Sequence, residues 1–237
     1  MKFSSSLLHG TLIKRYKRFL CDVTLDNGAT VTASCPNTGS MMGLKEPGLG
    51  VWLSTSDNPK RKYPHTWEMV EVDLGHGPSL VGINTGHPNK LVAEAIENGT
   101  IVELQGYSQL KREQKYGKNS RIDILLSDES ERKCYVEVKN VHLMREHGLA
   151  EFPDSVTERG TKHLGELADM VREGHRAMMM YLIQRGDAET FAFARDVDPV
   201  YGKAFDLARD VGVEALAYVC SMSPEGIEVM HNIPLEP

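Results

Sequence analysis

Asp123, Glu137 and Lys139 are the residues whose types and spacing have the clearest chemical use. Arg121 to Leu126 and Cys134 to Lys139 are β-rich runs separated by the polar stretch Ser127 to Lys133, which predicts a hairpin. Side chains on a strand switch faces at every residue, so Glu137 and Lys139 point the same way, with Asp123 on the neighbouring strand. Two carboxylates suit a hard cation such as Mg²⁺ or Mn²⁺, and an ammonium beside them can orient or help deprotonate an attacking water. That is the equipment for metal-assisted phosphodiester hydrolysis. The bare Glu-x-Lys pattern is common in this chain, at Glu113/Lys115, Glu131/Lys133 and Glu137/Lys139. Only the last lies in an apolar strand, where charges cost free energy unless paired or ligated. On this pattern alone, a cross-strand ion pair on a solvated sheet face accounts for the residues as well as a metal site does.

The elements that must position these residues follow from periodicity. The Asn27-Gly28 turn between Phe19–Leu25 and Thr30–Cys35 marks a hairpin, because both turn residues tolerate positive φ. Strands are expected at Gly50–Ser54, Thr66–Leu74 and Leu80–Ile83. About five short antiparallel strands over residues 1–85 suit a small OB-like β-barrel. Helical period starts at His87-Pro88-Asn89, with Leu91, Val92, Ala95 and Ile96 on one stripe and Asn98-Gly99 as its end. A second domain over residues 86–237 is expected to be α/β. In it a helix starts at Ser155, with Glu158 at capping-box spacing and Leu164, Leu167, Ala168 and Val171 inward; Ala177–Ile183 is a buried central strand. A further helix over Pro199–Val211 turns Leu207, Ala208 and Val211 inward and leads into a strand over Val213–Cys220. Met178-Met179-Met180 belongs to the core.

The 237 residues are 41% hydrophobic and 25% charged, an ordinary globular balance that excludes disorder as the main theme. The longest apolar run, Ala177–Ile183, is far below the roughly 20 residues needed to span a bilayer, and the start lacks a signal-peptide core. No membrane association is expected. Four scattered cysteines without zinc-like spacing fit free thiols in a reducing cytoplasm. Net charge is −6, yet residues 1–62 hold nine Lys/Arg against four Asp/Glu. The positive share is concentrated where Lys14, Arg15, Lys17, Arg18, Lys60, Arg61 and Lys62 sit beside Tyr16, Phe19 and Tyr63. Such mixtures bind nucleic acid, cations tracking phosphates and rings stacking on bases. Arg159, Lys162, His163 and Glu166 form one polar helix face, either solvated or a phosphate-contacting stripe beside the carboxylates. Gln184 ends the central strand and reads as solvated or as a neighbour of the same site.

Six segments resemble the sugar fermentation stimulation protein A family: Cys35–Met41, Thr55–Asn58, Glu113–Gly117, Ser120–Asp123, Tyr135–Asn140 and Phe152–Leu164. The resemblance runs nearly end to end. It implies an N-terminal OB-like barrel joined to a PD-(D/E)xK restriction-endonuclease-like domain with a mixed sheet, DNA binding, and an association with the regulation of sugar metabolism, maltose in particular. It also implies that Asp123, Glu137 and Lys139 are the nuclease-type motif and that Glu113 is the acidic residue supplied from the preceding element. The chain departs from the family at Ser34, where a His commonly precedes Cys-Pro-Asn-Thr-Gly, and at Arg121-Ile122-Asp123, which lacks a Pro before the Asp. No helix-turn-helix or zinc-finger pattern is present, so contacts to DNA are expected mainly at phosphates, largely without sequence preference. An active Mg²⁺-dependent nuclease and an RNA-binding or RNA-processing protein are the rival readings.

Overall fold

The computed structural model describes residues 1–117, 120–129 and 132–236. In the first unit, alternating apolar residues form β1 (Leu8–Tyr16), β2 (Leu20–Leu25), β3 (Thr30–Ser34), β4 (Gly50–Thr55), β5 (His65–Asp73) and β6 (Pro78–Gly82). The expected hairpin is β2–β3, from Leu20↔Ser34 to Thr24↔Thr30, and Gly28 takes the left-handed conformation its turn requires. The strand order is β3-β2-β1-β4-β5-β6, and β3 also pairs with β5, closing β1 to β5 into a barrel. That closing seam, Ala33↔His65 and Ser34↔Thr66, is parallel, where an all-antiparallel set was expected. Leu12, Val23, Val51, Leu53, Trp67 and Val70 fill the interior.

Helix α1 (Pro88–Glu97) begins the second unit with Pro at its start, where a missing N–H costs nothing, and buries the predicted Leu91/Val92/Ala95/Ile96 stripe. A mixed sheet follows in the order β15-β14-β12-β9-β8-β7, built from β7 (Gln109–Tyr116), β8 (Ser120–Ser127), β9 (Cys134–Val141), β12 (Arg176–Ile183), β14 (Glu214–Ser223) and β15 (Gly226–Asn232). β9, β12 and β14 are parallel, as strands joined through helical crossovers are; β7, β8 and β15 are antiparallel additions. The turn between β8 and β9 includes residues 130 and 131, which lie outside the described residues. Helices α2 (Glu158–Arg172) and α3 (Pro199–Val211) cover one face and α1 the other. On β12, Met179, Tyr181 and Ile183 face the first layer, and Met178, Met180 and Leu182 the second.

Several local expectations are corrected. A second, three-stranded sheet of β10 (Leu143–Glu146), β11 (Gly148–Phe152) and β13 (Ala188–Phe193) was not anticipated, because these short runs carry charges that mask their alternation. The cap of α2 is Thr157, whose hydroxyl accepts from Gly160 N at 3.1 Å; Ser155 lies outside the helix. The residues before the cap bend at Asp154 and Ser155, and the Asp154 carboxylate accepts from Met41 N at 3.0 Å and pairs with His142. Leu207 is 68% exposed, since α3 turns the Tyr201/Phe205/Ala208 stripe inward. Gln184 is fully buried at the seam between the units: its main-chain carbonyl accepts from Gly82 N and its side-chain Nε2 donates to Asn140 Oδ1. All four cysteines are buried free thiols. Among the described residues no helix is long and apolar enough to cross a membrane.

Candidate metal and nucleic-acid site

The β8–β9 ladder runs from Leu126↔Cys134 to Ile124↔Val136 and stops one residue short of Asp123. Val138 N–H then donates to Asp123 Oδ2 at 2.8 Å, so the carboxylate takes over where the strand pairing ends. Asp123 Oδ1 accepts at 2.7 Å from Nδ2 of Asn89, in the first turn of α1. The same Nδ2 donates to Glu113 Oε1 at 3.1 Å. Glu113 lies across from Asp123, between the registered pairs Arg112↔Ile124 and Gln114↔Ile122, in a left-handed conformation with φ 55°. For a residue with a Cβ that conformation costs roughly 1 kcal/mol or more, and such strain persists only where the surroundings over-determine it.

Glu137 is 2% exposed. Strand alternation puts it with Lys139 on the α2 side, and Lys139 Nζ donates to Glu137 Oε1 at 2.7 Å. The same Oε1 is engaged by Nδ1 of His163, from the second turn of α2. Oε2 is buried and has no hydrogen-bond partner among the described residues. Burial by itself raises the pKa of Glu137, but the His163 hydrogen bond and the Lys139 charge outweigh it and hold the group below the usual carboxylate range. Asp123 fares differently. Burial first and the Glu137 charge second push it up to about 6, against the Val138 and Asn89 hydrogen bonds.

Two further buried groups border these carboxylates. Both Glu166 oxygens lack a hydrogen-bond partner among the described residues, and Lys162 Nζ stands 3.5 Å from one of them while donating to Ser120 Oγ at 3.1 Å. The Tyr116 hydroxyl is buried and also unpaired; burial and the charges of Glu137, Glu166 and Asp123 raise its pKa. The arrangement fits a divalent cation. Glu137 Oε1 is fully engaged, Oε2 is bare, and Asp123 keeps one lone pair on each oxygen after its two hydrogen bonds. Among the described residues no three His, Cys, Asp or Glu side chains form a metal cage. Asp123 and Glu137 would therefore share a cation with water and substrate oxygens, as Mg²⁺ and Mn²⁺ sites commonly do.

The anticipated helix stripe divides. Arg159 and Lys162 are exposed, while His163 is 4% exposed and belongs to Glu137 rather than to a surface phosphate. The barrel cations divide too. Lys14, Lys17, Arg18, Lys60, Arg61 and Lys62 are exposed, with Lys14 3.6 Å from Asp22 and Arg61 donating to Thr66. Arg15 is only half-exposed, and its guanidinium donates to the carbonyls of Arg18, Asn37 and Gly39, which makes it a brace for the Cys35–Met41 loop. The parallel seam sets the start of β5 beside the end of β3, and Leu20 pairs with Ser34. The β1–β2 turn and the β4–β5 loop, with their cations, are thereby gathered at one rim.

Sequence reasoning passed over Asn89 and Tyr116 as members of the site. The only signal for Asn89 was its place in the first turn of α1; Tyr116 gave none, since its role depends on how β7 folds back over β8.

Comparison with known proteins agrees with this architecture. The model of the SfsA N-terminal OB domain matches residues 13–83, and that of the sugar fermentation stimulation protein RE domain matches residues 86–226. The chain is 55% identical to the sugar fermentation stimulation protein homolog of Azorhizobium caulinodans, over 99% of each chain, and 55% identical to that of Brucella anthropi, over 100% of each. It is an OB barrel followed by a restriction-endonuclease-like domain, as expected. The chain belongs to the sugar fermentation stimulation protein family. A solved structure of SfsA from Pyrococcus furiosus in complex with Ca²⁺ superposes with a TM-score of 0.87 at 27% identity, covering 100% of this chain and 98% of that one.

Proposed function

We propose that this protein binds DNA, largely without regard to sequence, by engaging the phosphodiester backbone at a divalent-cation site on Asp123 and Glu137 and at the basic rim of the barrel. The observation that carries the reading is Glu137 Oε2, a buried carboxylate oxygen with no hydrogen-bond partner among the described residues, beside Asp123, whose own ionisation is held back by burial first and by the Glu137 charge second. Like charges a few ångströms apart in a partly dry cleft repel by several kcal/mol, and Lys139 offsets only one of them. Mg²⁺ or Mn²⁺ bound there would supply a charge bridge to a phosphate oxygen and acidify a bound water. The chain's own residues have separate tasks: Asn89 and Val138 N–H aim Asp123, His163 keeps Glu137 ionised, and exposed Arg159 and Lys162 offer phosphate contacts. The Ca²⁺ in the Pyrococcus structure supports a hard-cation preference. The family name points to sugar fermentation, and DNA binding is the step through which a regulator of sugar metabolism would act.

A second reading, phosphodiester hydrolysis, is favoured by Lys139, whose mostly buried ammonium stands 2.7 Å from Glu137, where it can hold and orient an attacking water, with Glu113 as an auxiliary carboxylate. One experiment covers both. Labelled duplex DNA, with RNA of the same sequence in parallel, is titrated with native protein and with Asp123→Asn/Glu137→Gln in Mg²⁺, Mn²⁺ or EDTA at constant ionic strength, and products are resolved on a gel. The expected result is that metal tightens binding by the native protein, scarcely affects the variant, and that in EDTA the variant binds more tightly. Equal binding by both proteins in every condition overturns the reading; metal-dependent cleavage by the native protein alone selects the hydrolytic one.

A further inference from the structure

We infer that the barrel rim is a stacking site for an unpaired base, with Phe19 as its platform, so that single-stranded nucleic acid is the preferred partner of this surface. The inference specifies the strand type for the DNA-binding reading above and rests on it. Phe19 is 51% exposed at the tip of the β1–β2 turn. Lys17 and Arg18 both take left-handed conformations, with φ 50° and 67°, and this tight reversal between Tyr16 and Leu20 leaves the Phe19 ring outside the barrel. The turn is nevertheless fixed. Arg15 donates to the Arg18 carbonyl at 2.9 Å, Arg18 Nε donates to the Thr38 carbonyl at 2.8 Å, and the Phe19 carbonyl accepts from Cys35 N at 2.7 Å.

An apolar ring exposed to water on a braced turn gains nothing in the free protein, and loop tips are ordinarily small and polar. A turn whose backbone is already fixed loses little conformational freedom when a ligand covers its ring, so the bracing suits a binding platform. The surroundings choose the ligand. Exposed Lys17 and Arg18 flank the ring, and the same rim carries Lys60, Arg61 and Lys62, so the partner is polyanionic. Half-buried Tyr16 and Tyr63 each have a lysine over the ring, Lys14 at 5.4 Å and Lys62 at 5.3 Å. A polyanion with planar faces is a nucleic acid. In a duplex those faces are hidden in the base stack, and only an unpaired base can offer one to Phe19. The rim also leads toward the second domain, since the braced Cys35–Met41 loop hands Met41 N–H to Asp154, four residues before the start of α2 and its exposed Arg159 and Lys162.

The test uses the full chain in EDTA, so that the carboxylate site contributes no metal bridge, with a fluorescent oligothymidylate and a duplex of equal length. Stacking of one base is worth about a tenfold change in affinity on removal of the ring. Phe19→Ala is expected to weaken single-strand binding about tenfold, to leave duplex binding within about twofold, and to keep the salt dependence unchanged, because no phosphate contact is lost. Phe19→Trp is expected to restore affinity and to show quenching of its fluorescence by the single strand. Single-strand binding unaffected by Phe19→Ala, or an equal loss for single strand and duplex, overturns the inference. Because the assay omits metal, that outcome leaves the Asp123/Glu137 reading standing, whereas failure of the metal-dependence experiment leaves this one standing.

Discussion

The barrel turns its cations outward, and the second domain turns its carboxylates inward. At the rim, Lys17, Arg18 and Lys60 to Lys62 stand in water, where charge is inexpensive and each contact with a phosphate is weak and additive. In the second domain Glu137 is buried and Asp123 largely so, and each must be matched or else remain partly protonated. The difference teaches which charges carry specific chemistry. Exposed cations in number suit affinity without specificity; two shielded carboxylates with an oxygen unpaired among the described residues are what the proposed cation site would use.

The sharpest way to break the comparison is to remove the bare oxygen. Glu137→Ala is expected to lower Mn²⁺ affinity by roughly 100-fold or more, since outer partners of a metal site alone are worth 10- to 100-fold. Calorimetric titration reads this directly.

Protonation offers a gentler cut. The pKa of Asp123 is raised in the folded protein to about 6, above the ordinary carboxylate value it has when unfolded, so the folded state binds the extra proton more tightly. The metal-free protein therefore gains stability as pH falls from about 7 toward 4, by roughly 2 kcal/mol from this group, and loses it as pH rises through about 6. Mn²⁺ affinity moves the other way, rising with pH up to about 6 and levelling above about 7, because the cation needs the carboxylate deprotonated. Chemical denaturation and Mn²⁺ titration across pH 4.5 to 8 check both signs, and a flat metal affinity would remove Asp123 from the site.

His163→Ala should cost about tenfold in Mn²⁺ affinity, because His163 opposes the pKa-raising effect of burial on Glu137. A histidine that merely contacted phosphate would leave metal affinity unchanged and weaken DNA binding alone.

At the rim, Arg15 and Lys17 separate structure from binding. Arg15→Ala removes the guanidinium donor shared by three carbonyls and is expected to destabilise the barrel by about 2 kcal/mol in urea unfolding. Lys17→Ala should leave stability within about 0.5 kcal/mol and reduce the log–log salt slope of DNA binding by roughly 0.7 to 0.9. The smallest effect is at the start of α2, where Thr157→Ala should cost about 1 kcal/mol and Ser155→Ala less than about 0.5.

Much of this was readable from sequence. Strand alternation placed Glu137 and Lys139 on one face, the Asn27-Gly28 turn located the β2–β3 hairpin, and the α1 stripe was found residue for residue. What local pattern could not show was partnership. His163 and Arg15 resemble surface cations by type, and only the packing of α2 on β9 and of the Cys35–Met41 loop on the β1–β2 turn commits them to structural partners. Leu207 was misplaced because a 207/208/211 stripe and a 201/205/208 stripe both satisfy helical period, and the larger aromatic pair wins the core. Asn89 joins Glu113 and Asp123 across 24 and 34 residues of sequence, a relation no window of the chain contains.

The central claim is that Asp123 and Glu137 form one divalent-cation site, and titration of the metal-free full chain with Mn²⁺ at pH 7.5, followed by electron paramagnetic resonance, tests it most directly. Native protein is predicted to remove Mn²⁺ from the free pool to a saturating stoichiometry, with an accompanying rise in thermal midpoint, and Asp123→Asn/Glu137→Gln to do neither while remaining folded. Equal Mn²⁺ uptake by the two proteins, or none by the native chain, would contradict it.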